Sequence, residues 1–383
     1  MAQKIAIVHE MLVKLGGAEK VVEQILDVFP GADLFTLIYD EKKVGNVFPK
    51  NKIHPQVFGL ISQTVYKYTK KQRLCLPFMA QSVEALDLSE YDIVISSSSG
   101  FAHGAITKPD TKFLVYYHSP ARYMWDWTNE YKKDIGWNSG IKGLFLNKFF
   151  LKTRQWDVMS SNRADIVVAN AKNTQKRIQK YYRRDAHILY PPVETSRFQK
   201  EVSPDIFQSL QKDFQLSSKY YIIISALTEF KKLDIAVSAF NELSDRQLVI
   251  IGAGDYQETL QKQTLSQNTI FTGPQYGDDL VSLVQHSEGL IFPGEEDFGI
   301  VPIEVMAAGK PVFALRAGGL LETVQEGVTG DFFNSPEGDD FVEKFTLFEK
   351  NIESGQYKSQ ACQKQADNFS EVIWKQNLLS LLQ

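Results

Sequence analysis

The residues best suited to chemistry lie between Gly294 and Val312, in the segment GEEDFGIVPIEVMAAGKPV. Glu296 and Glu304 carry carboxylates separated by seven residues. Between them, the backbone N–H groups of residues 298–300 come to the start of a predicted helix, where unpaired donors and positive partial charge suit an anion or hydroxyl groups. Two carboxylates beside such a turn therefore indicate a site for a polyhydroxylated or phosphorylated ligand.

A strand and a helix must position these carboxylates. Gly289–Phe292 is a short apolar run that predicts a buried strand, which a turn at Pro293 and Gly294 ends. Residues 300–307 are apolar nearly all round, so the helix that they form should be buried. From the spacing alone, an ordinary acidic helix start with a local salt bridge at Glu304 explains the segment about as well.

The same segment resembles the donor-site signature of the family-4 retaining glycosyltransferases. The resemblance lies in the two glutamates, in Phe-Gly after the first, and in Ala-Ala-Gly-Lys-Pro-Val after the second. It is strongest to the mannosyl- and rhamnosyltransferase branch that builds bacterial surface polysaccharides, and it runs along most of the chain. The family implies the GT-B fold, an α/β architecture in which two doubly wound Rossmann-like domains face each other across a cleft.

Length and composition agree with two globular domains. A chain of 383 residues is too long for one typical core, and 43% hydrophobic and 23% charged residues are ordinary proportions. Cys75 and Cys362 lie far apart, without the spacing of a zinc site or a disulfide framework, which fits a reducing compartment. Because neither a signal peptide nor a run of about 20 apolar residues is present, we expect a cytoplasmic protein that lies, at most, against a membrane.

The first half of the chain alternates strand-like and helical segments, which predicts a parallel, doubly wound sheet. The strand-like runs are 4–8, 33–38, 93–96, 113–117 and 164–169. Ligands of such sheets bind at the carboxyl ends of the strands. Three polar clusters are predicted there: His9 with Glu10, the serine run 96–99 followed by His103, and the segment 118–122.

His118 is the most informative of these polar residues. It ends an apolar strand and precedes Ser-Pro, which turns the chain, and a structural hydrogen bond would explain it on its own. The surrounding HSPARYMWDW resembles the family motif in which a histidine contacts the donor sugar, so the resemblance implies a functional role for His118. His9 and His103 are secondary candidates.

Gly16 and Gly17 follow the first predicted strand and precede a helix, an arrangement that lets backbone approach a phosphate closely but also serves ordinary tight turns. In the family, this loop helps to bind the donor phosphate or the acceptor. The resemblance therefore implies substrate-binding roles for both glycines.

Residues 142–184 are strongly basic, with 11 Lys and Arg against Asp157 and Asp165, and aromatic residues are interleaved with the charges. A solvated basic helix with one side in the core explains this pattern, and so does a surface that rests on anionic lipid, where each basic residue adds about 1 kcal/mol. No nucleic-acid motif accompanies the charge. A lipid-linked acceptor, which the family implies, favours the membrane surface.

Tyr190 begins a Tyr-Pro-Pro-Val segment that resembles the family's interdomain junction. The predicted domains are therefore 1–194, the acceptor side, and 195–368, the sugar-nucleotide side. An amphipathic helix at 369–383 should cross back to the first domain. In the second domain, runs at 220–225, 248–251, 269–273 and 311–314 predict further strands.

The loop after the first of these strands carries Lys231 and Lys232. In the family, this loop holds an arginine and a lysine that grip the donor diphosphate. The lysine role fits Lys232, or Lys231 as in some members, but Ala226 occupies the arginine position. The departure raises the question of full catalytic competence, or of how the leaving diphosphate is neutralised.

The chain has no Asp-x-Asp, His-Glu-x-x-His or P-loop motif, which argues against the metal–diphosphate clamp of other sugar transferases, a metalloprotease and a P-loop ATPase. We therefore expect no metal and no cofactor, with cations and helix N-termini neutralising the diphosphate.

The resemblance implies a retaining, metal-independent transferase that moves a sugar from a nucleotide-diphosphate donor to a glycan or polyprenyl-linked acceptor. GDP-mannose is the first expectation, followed by dTDP-rhamnose or a UDP-sugar. The predicted catalytic residues are His118, Glu296 and Lys232, and the predicted substrate-binding residues are Gly16, Gly17, Lys231, Phe298, Gly299, Ile300, Glu304, Gly318 and Gly319. Two alternatives stay open, a non-catalytic sugar-nucleotide-binding partner of another transferase, which Ala226 raises, and a sugar-nucleotide epimerase of the same fold.

Overall fold

The computed structural model describes residues 3–383, and the chain divides into two compact units. Unit 1 extends to Pro192 and also includes Lys375–Gln383, and unit 2 is Val193–Trp374. Within the described residues, each unit is built on one six-stranded sheet whose strands are all parallel. The predicted α/β class with two Rossmann-like sheets is confirmed.

In unit 1, the strand order is β2-β1-β3-β4-β5-β6. The strands β1 to β6 are Ile5–Leu12, Asp33–Tyr39, Ile93–Ser98, Lys112–Tyr117, Ile166–Ala169 and His187–Ile188. The helices α1 to α7 are Gly17–Val28, Glu41–Val44, Ile61–Thr69, Leu76–Glu84, Thr128–Asp134, Gly140–Ser160 and Lys172–Tyr182. The chain leaves β1 toward β2 on one side and β3 on the other, so the switch point of this sheet lies between β1 and β3.

In unit 2, the strand order is β12-β11-β10-β7-β8-β9. The strands β7 to β12 are Tyr220–Ile224, Gln247–Ile251, Thr269–Gly273, Gly289–Phe292, Val312–Leu315 and Gly330–Phe333. The helices α8 to α16 are Thr195–Gln199, Pro204–Phe214, Leu233–Glu242, Gln257–Gln263, Gly277–His286, Ile300–Ala307, Leu320–Thr323, Phe341–Glu353 and Ser359–Asp367. Here the switch point lies between β7 and β10. The last helix, α17, is Glu371–Leu382, and its residues from Lys375 onward belong to unit 1.

The strands form where the sequence has β-branched and aromatic runs, because strands of a parallel sheet are covered on both faces and must be apolar throughout. In β7 and β8, for example, Ile222 and Val249 are fully buried. Phenylalanines fill the core of unit 2, where the rings of Phe313, Phe341 and Phe345 contact one another.

The predicted end of the first strand is wrong. We expected His9 and Glu10 to follow the first strand, but β1 continues through them to Leu12. The pairing with β2 persists past this point, with Met11 opposite Ile38. Both polar side chains are buried and have partners, His9 at Ser97 in β3 and Glu10 at the N–H of Gly100 in the loop that follows β3, so polarity does not end the strand.

No helix among residues 3–383 has the length and apolar character needed to cross a bilayer.

Candidate functional site

The loops that follow β10 and β11 pack directly on each other in unit 2. The N–H of Gly319 donates to the carbonyl of Glu296 at 2.8 Å. A Cβ at Gly318 would lie 2.2 Å from the Glu296 carbonyl oxygen, and a Cβ at Gly319 would lie 2.4 Å from that of Asp297. Gly318 also has a φ of 60°, which favours glycine. The predicted glycine pair therefore shapes the turn that holds Glu296.

A third loop, after β7, reaches the same turn through Lys231. A short 3₁₀ turn, Glu229–Lys231, carries this lysine, and a Cβ at Gly294 would lie 2.7 Å from the Lys231 carbonyl oxygen. The ammonium of Lys231 forms an ion pair with Oε1 of Glu296. Since β7 and β10 flank the switch point, the pair lies where sheets of this type bind ligands.

The electrostatics of Lys231 follow from its burial. Its side chain is 15% exposed and that of Glu296 is 30% exposed. Burial lowers the pKa of Lys231 to about 8, and the nearby Asp297 opposes part of that shift. At neutral pH the amine is therefore mostly protonated but poorly hydrated, so a phosphate oxygen that reached it would meet a cation with little water to displace.

Lys232 is placed differently from its neighbour. Its backbone is left-handed, with a φ of 56°, and it stands at the N-terminal boundary of α10. Its side chain is exposed, whereas that of Lys231 is partly buried. Of the two predicted lysines, the structure brings Lys231 to Glu296.

The helix α13 begins directly after this turn. Gly299, with a φ of 86°, precedes its first residue, Ile300, and Phe298 is buried against the ring of Phe369. The helix is buried along most of its length, as its composition predicts. Glu304 is only 9% exposed within it. The structure therefore places residues 298–300 at a helix N-terminus, and Glu304 one turn further on.

Ala226 lies at the head of the loop after β7 and is exposed. This loop packs on the glycine loop after β8, because a Cβ at Gly252 would lie 1.9 Å from the Ser225 carbonyl oxygen and one at Gly254 would lie 2.2 Å from that of Leu227. Four loops thus meet at one edge of the unit 2 sheet, and the position predicted for an arginine offers no cation.

In unit 1, His118 belongs to a chain of hydrogen bonds between neighbouring strands. Its Nε2 lies 2.8 Å from Oγ of Ser97 at the end of β3, and that oxygen lies 3.1 Å from Nδ1 of His9 in β1. On the other side of the ring, Nε2 of His9 lies 3.9 Å from Oε1 of Glu19 in α1. These four side chains cross the switch point of the unit 1 sheet.

The pKa of His118 is lowered to about 4, chiefly by burial and also by His9, while Glu10 and Glu19 oppose part of that shift. The ring is therefore neutral at physiological pH. A neutral imidazole exchanges hydrogen bonds with hydroxyl groups but does not supply a positive charge.

Glu10 holds the loop that follows β3. Its Oε1 accepts from the backbone N–H groups of Gly100 and Phe101, each at 2.7 Å, and of Ala102 at 3.0 Å. Burial by itself would raise the pKa of this carboxyl, but the charge of His9 and the backbone donors outweigh it and keep the pKa below its usual value. Glu10 is thus an ionised side chain that fixes the serine loop.

A pocket of about 230 Å³ opens beside these residues in unit 1. Its lining includes His9, Glu10, Gly16, Gly17 and Glu19. The predicted glycines therefore line a cavity, and His118 connects to that cavity through Ser97 and His9. His103 does not reach it, since its ring is fully buried between Ser98 and Asp157.

Glu19 was not among the residues predicted for the site, and Ser97 was predicted only as one member of the serine run 96–99. Glu19 is a carboxylate on the helix face that also buries Val22, and a charge on an apolar face is a signal that could have identified it. The sequence did not distinguish Ser97 from the other serines of that run, because its link between two histidines depends on the strand order.

Two family models match the chain. The model described as Glycosyltransferase Family 4 matches residues 15–197, which include Gly16, Gly17 and His118. The model described as Glycosyl transferases group 1 matches residues 206–368, which include Lys231 and Glu296.

Curated relatives agree with these models. The alpha-1,3/1,6-mannosyltransferase ALG2 of Kluyveromyces lactis is 25% identical over 377 residues, covering 84% of this chain and 71% of that protein. The GDP-mannose-dependent alpha-(1-6)-phosphatidylinositol monomannoside mannosyltransferase of Mycolicibacterium smegmatis is 29% identical over 197 residues. This match covers 46% of this chain and 51% of that protein. The matches between this chain and two other curated relatives cover only 28% and 44% of the length of those relatives.

The fold is also found among solved structures. HepE of Anabaena, in complex with UDP, superposes with a TM-score of 0.74 at 18% identity, and the match covers 99% of both chains.

Proposed function

Because the chain belongs to the family-4 glycosyltransferases, we propose that it transfers a sugar from a nucleotide-diphosphate donor to a glycan or lipid-linked saccharide. The observation that carries this proposal is the Lys231–Glu296 pair at the switch point of unit 2. A buried ammonium, a carboxylate and a helix N-terminus at one turn match the diphosphate and the hydroxyl groups of such a donor.

Unit 2 binds the donor in this proposal. Lys231 contacts the diphosphate, Glu296 and the amides of residues 298–300 hold the sugar hydroxyls, and Glu304 accepts hydrogen bonds from the ribose. Gly318 and Gly319 keep that turn in place and lie near the phosphates or ribose. The exposed Lys232 supplies a second, more distant cation.

Catalysis then depends on stabilising the negative charge that develops on the leaving diphosphate. Such electrostatic stabilisation is often the largest single contribution to an enzyme's rate enhancement. Because Ala226 provides no cation, Lys231 and the N-terminus of α13 carry more of this stabilisation. Transfer proceeds with retention by attack on the face that the diphosphate leaves, and the diphosphate accepts the acceptor's proton. Glu296 does not act as a nucleophile, and no metal takes part.

Unit 1 binds the acceptor in this proposal. The pocket beside Gly16 and Gly17 has hydrogen-bonding side chains, His9 and Glu19, that suit sugar hydroxyls. His118, neutral at physiological pH, contacts the transferred sugar as the family motif implies. Its lowered pKa fits a hydrogen-bonding role rather than that of a cation.

GDP-mannose is the donor that we propose first. Two of the relatives are mannosyltransferases by name, and one is named as GDP-mannose-dependent. A dTDP- or UDP-sugar is the next candidate, since HepE, a structural neighbour, binds UDP.

We also propose that the protein is cytoplasmic and associates with the inner face of the membrane through α6. Several arginines of the basic segment are engaged within unit 1, as Arg163 and Arg184 donate to backbone carbonyls. The charges that face solvent include Lys142, Lys148 and Lys152 on α6. Exposed apolar residues such as Leu144 and Leu151 share this helix with them, so α6 offers both positive charge and apolar contact to an anionic lipid surface.

The experiment is a thermal-shift screen of GDP-, UDP- and dTDP-sugars followed by donor hydrolysis without acceptor. The wild-type protein should be stabilised by one donor class and should hydrolyse it slowly. Glu296→Ala should abolish turnover without unfolding the chain, whereas Glu258→Ala, an exposed carboxylate on α11, should change neither. Unchanged turnover in Glu296→Ala would refute the site assignment.

Ala226 favours one other function, a non-catalytic partner that binds a sugar nucleotide for another transferase. Donor stabilisation without hydrolysis or transfer, across all three donor classes, would identify it. Conversion of the donor sugar into its epimer would instead identify an epimerase.

A further inference from the structure

Unit 1 contains a second and larger pocket, of about 840 Å³, with mainly apolar walls. One wall comes from the segment that precedes α4 and from the first turn of that helix, and the other comes from α5 and α6. We call it the apolar pocket, and its main apolar lining is Leu74, Leu76, Ile135, Trp137, Phe145 and Phe149. Its volume lies within the range of about 300–1,000 Å³ that is typical of small-molecule sites.

The apolar pocket has a packed floor and exposed walls. Phe150 is 1% exposed, and its ring lies 6.1 Å from that of Tyr131 and 5.8 Å from that of Phe149. In contrast, Leu74 is 50% exposed and Phe145 is 64% exposed. A packed floor with apolar walls open to water is a surface whose coverage by an apolar group is favourable in free energy.

Cations from the segment 70–73 line one side of the apolar pocket. Lys70, Lys71 and Arg73 line it, and Asp134 is the acidic residue on the same lining. Lys70 is paired with Asp40 at 3.5 Å, and the guanidinium of Arg73 lies 5.8 Å from the centre of the Tyr131 ring. The remaining charge is positive, so an apolar ligand with an anionic end fits better than a neutral one.

The apolar pocket also adjoins the proposed acceptor site. Gln72 lines both it and the 230 Å³ pocket of Gly16 and His9. A ligand whose chain occupies the apolar pocket would therefore have its polar end beside the glycine loop. This juxtaposition distinguishes the apolar pocket from an ordinary apolar surface patch.

We propose that the apolar pocket binds the isoprenoid chain of a lipid phosphate, which presents its attached saccharide to the pocket at Gly16. The assignment of that saccharide as acceptor rests on the proposed function. One apolar recess with one basic rim matches a lipid that has a single chain and a single anionic end. The methyl branches of an isoprenoid bury more apolar surface than a straight chain of equal length.

The test uses calorimetry to measure the binding of farnesyl phosphate to the protein. The ligand is kept below its micelle concentration, and no sugar nucleotide is present. We expect micromolar binding. Geranyl phosphate should bind at least tenfold more weakly, because each buried methylene is worth about fourfold in affinity. Dodecyl phosphate, farnesol and inorganic phosphate should each bind more weakly than farnesyl phosphate. Equal or tighter binding of dodecyl phosphate would overturn the isoprenoid assignment.

Matched variants test the position of the chain. Leu74→Glu and Phe145→Glu place a charge on exposed walls of the apolar pocket and should each weaken farnesyl phosphate binding at least tenfold. Leu151→Glu changes an exposed leucine of α6 that does not line the pocket, and it should leave the affinity unchanged. An equal loss in all three variants, or no loss in any, would overturn the proposal.

Donor hydrolysis separates this proposal from the proposed function. Hydrolysis that persists while farnesyl phosphate fails to bind overturns the lipid pocket and leaves the transferase intact. Farnesyl phosphate binding that follows the pattern of the variants, in a protein that binds no sugar nucleotide, supports the pocket and overturns the transferase.

Discussion

The side chains of Lys231 and Glu296 form an ion pair although 65 positions separate them in the sequence. They come from the loops after β7 and β10, which are adjacent in the sheet. Parallel pairing brings the carboxyl ends of both strands to one edge, so two residues from distant segments meet in a single site.

This pair predicts unequal roles for two neighbouring lysines. Lys231→Met should lower kcat by about 10²–10³, as the loss of one charge-stabilising donor does in other enzymes. Lys232→Met should cost less than tenfold, because its exposed side chain is surrounded by water. Steady-state kinetics with the identified donor measures both, and a larger loss in Lys232→Met would reverse the assignment.

The buried amine also predicts a pH dependence. Since burial lowers the pKa of Lys231 to about 8, kcat/KM should fall as the pH rises through that value and the ammonium loses its proton. Lys231→Arg keeps its charge in this range, so its profile should be flat there. Parallel profiles for the two proteins would show that another group titrates.

The pKa of Lys231 has a consequence for stability as well. The folded state holds fewer protons on this lysine than the unfolded state between its pKa of about 8 and the ordinary value of 10.5. The contribution of Lys231 to the free energy of unfolding should therefore rise with pH across that interval. Urea denaturation of the wild type and Lys231→Met from pH 7.5 to 10.5 measures the difference, and an opposite slope would contradict the assigned shift.

The contact of Gly319 with the glutamate turn predicts a defect from one added carbon. A Cβ there would lie 2.4 Å from both the Asp297 carbonyl oxygen and the Phe298 Cα, so Gly319→Ala must displace the turn. We expect a loss of about 1–3 kcal/mol in the free energy of unfolding, with weaker donor binding. Gly31→Ala, where nothing lies within 4 Å of the added carbon, is the control and should be nearly neutral.

The hydrogen bonds that Glu10 accepts predict that removing its charge lowers the stability of the protein. Glu10→Gln replaces an acceptor of several backbone N–H groups with a side chain that carries a donor, and it should cost about 2–3 kcal/mol of unfolding free energy. Glu41→Gln, an exposed carboxylate in α2, should change little.

The sign of the pH effect at Glu10 is fixed by its lowered pKa. Its stabilising contribution is present above the ordinary carboxyl value of 4.5 and is lost as the pH falls through the lower folded value. The difference in stability between wild type and Glu10→Gln should therefore shrink on acidification. A difference that stays constant from pH 7 to pH 3 would contradict this account.

The lysines of α6 predict binding to anionic membranes. Neutralising Lys142, Lys148 and Lys152 with glutamine should weaken binding to phosphatidylserine vesicles by roughly 100-fold, at about 1 kcal/mol for each charge. The same change at Lys200, Lys212 and Lys262, exposed positions of unit 2, is the control. Co-sedimentation should fade as salt rises, and absence of binding at low salt would exclude this surface.

The sequence alone determined the type and order of most elements. Thr269–Gly273 and Gly289–Phe292 have the predicted bounds, because each is a short apolar run between turn residues. The burial of α13 followed from residues that are apolar on nearly all faces. Local patterns suffice in such places because strand and helix periodicity, turn chemistry and burial all favour the same structure.

Tertiary structure decided what depends on distant partners. The strand β1 continues through His9 and Glu10 because Ser97 and the loop at 99–102 satisfy their side chains. Likewise, Lys231 and Lys232 are neighbours in the sequence, and only the tertiary structure shows that Lys231 is the one that forms an ion pair with Glu296. Burying a polar group is costly unless it has a hydrogen-bond or ion-pair partner. For these residues, the order of the strands in the sheet determines which group is that partner.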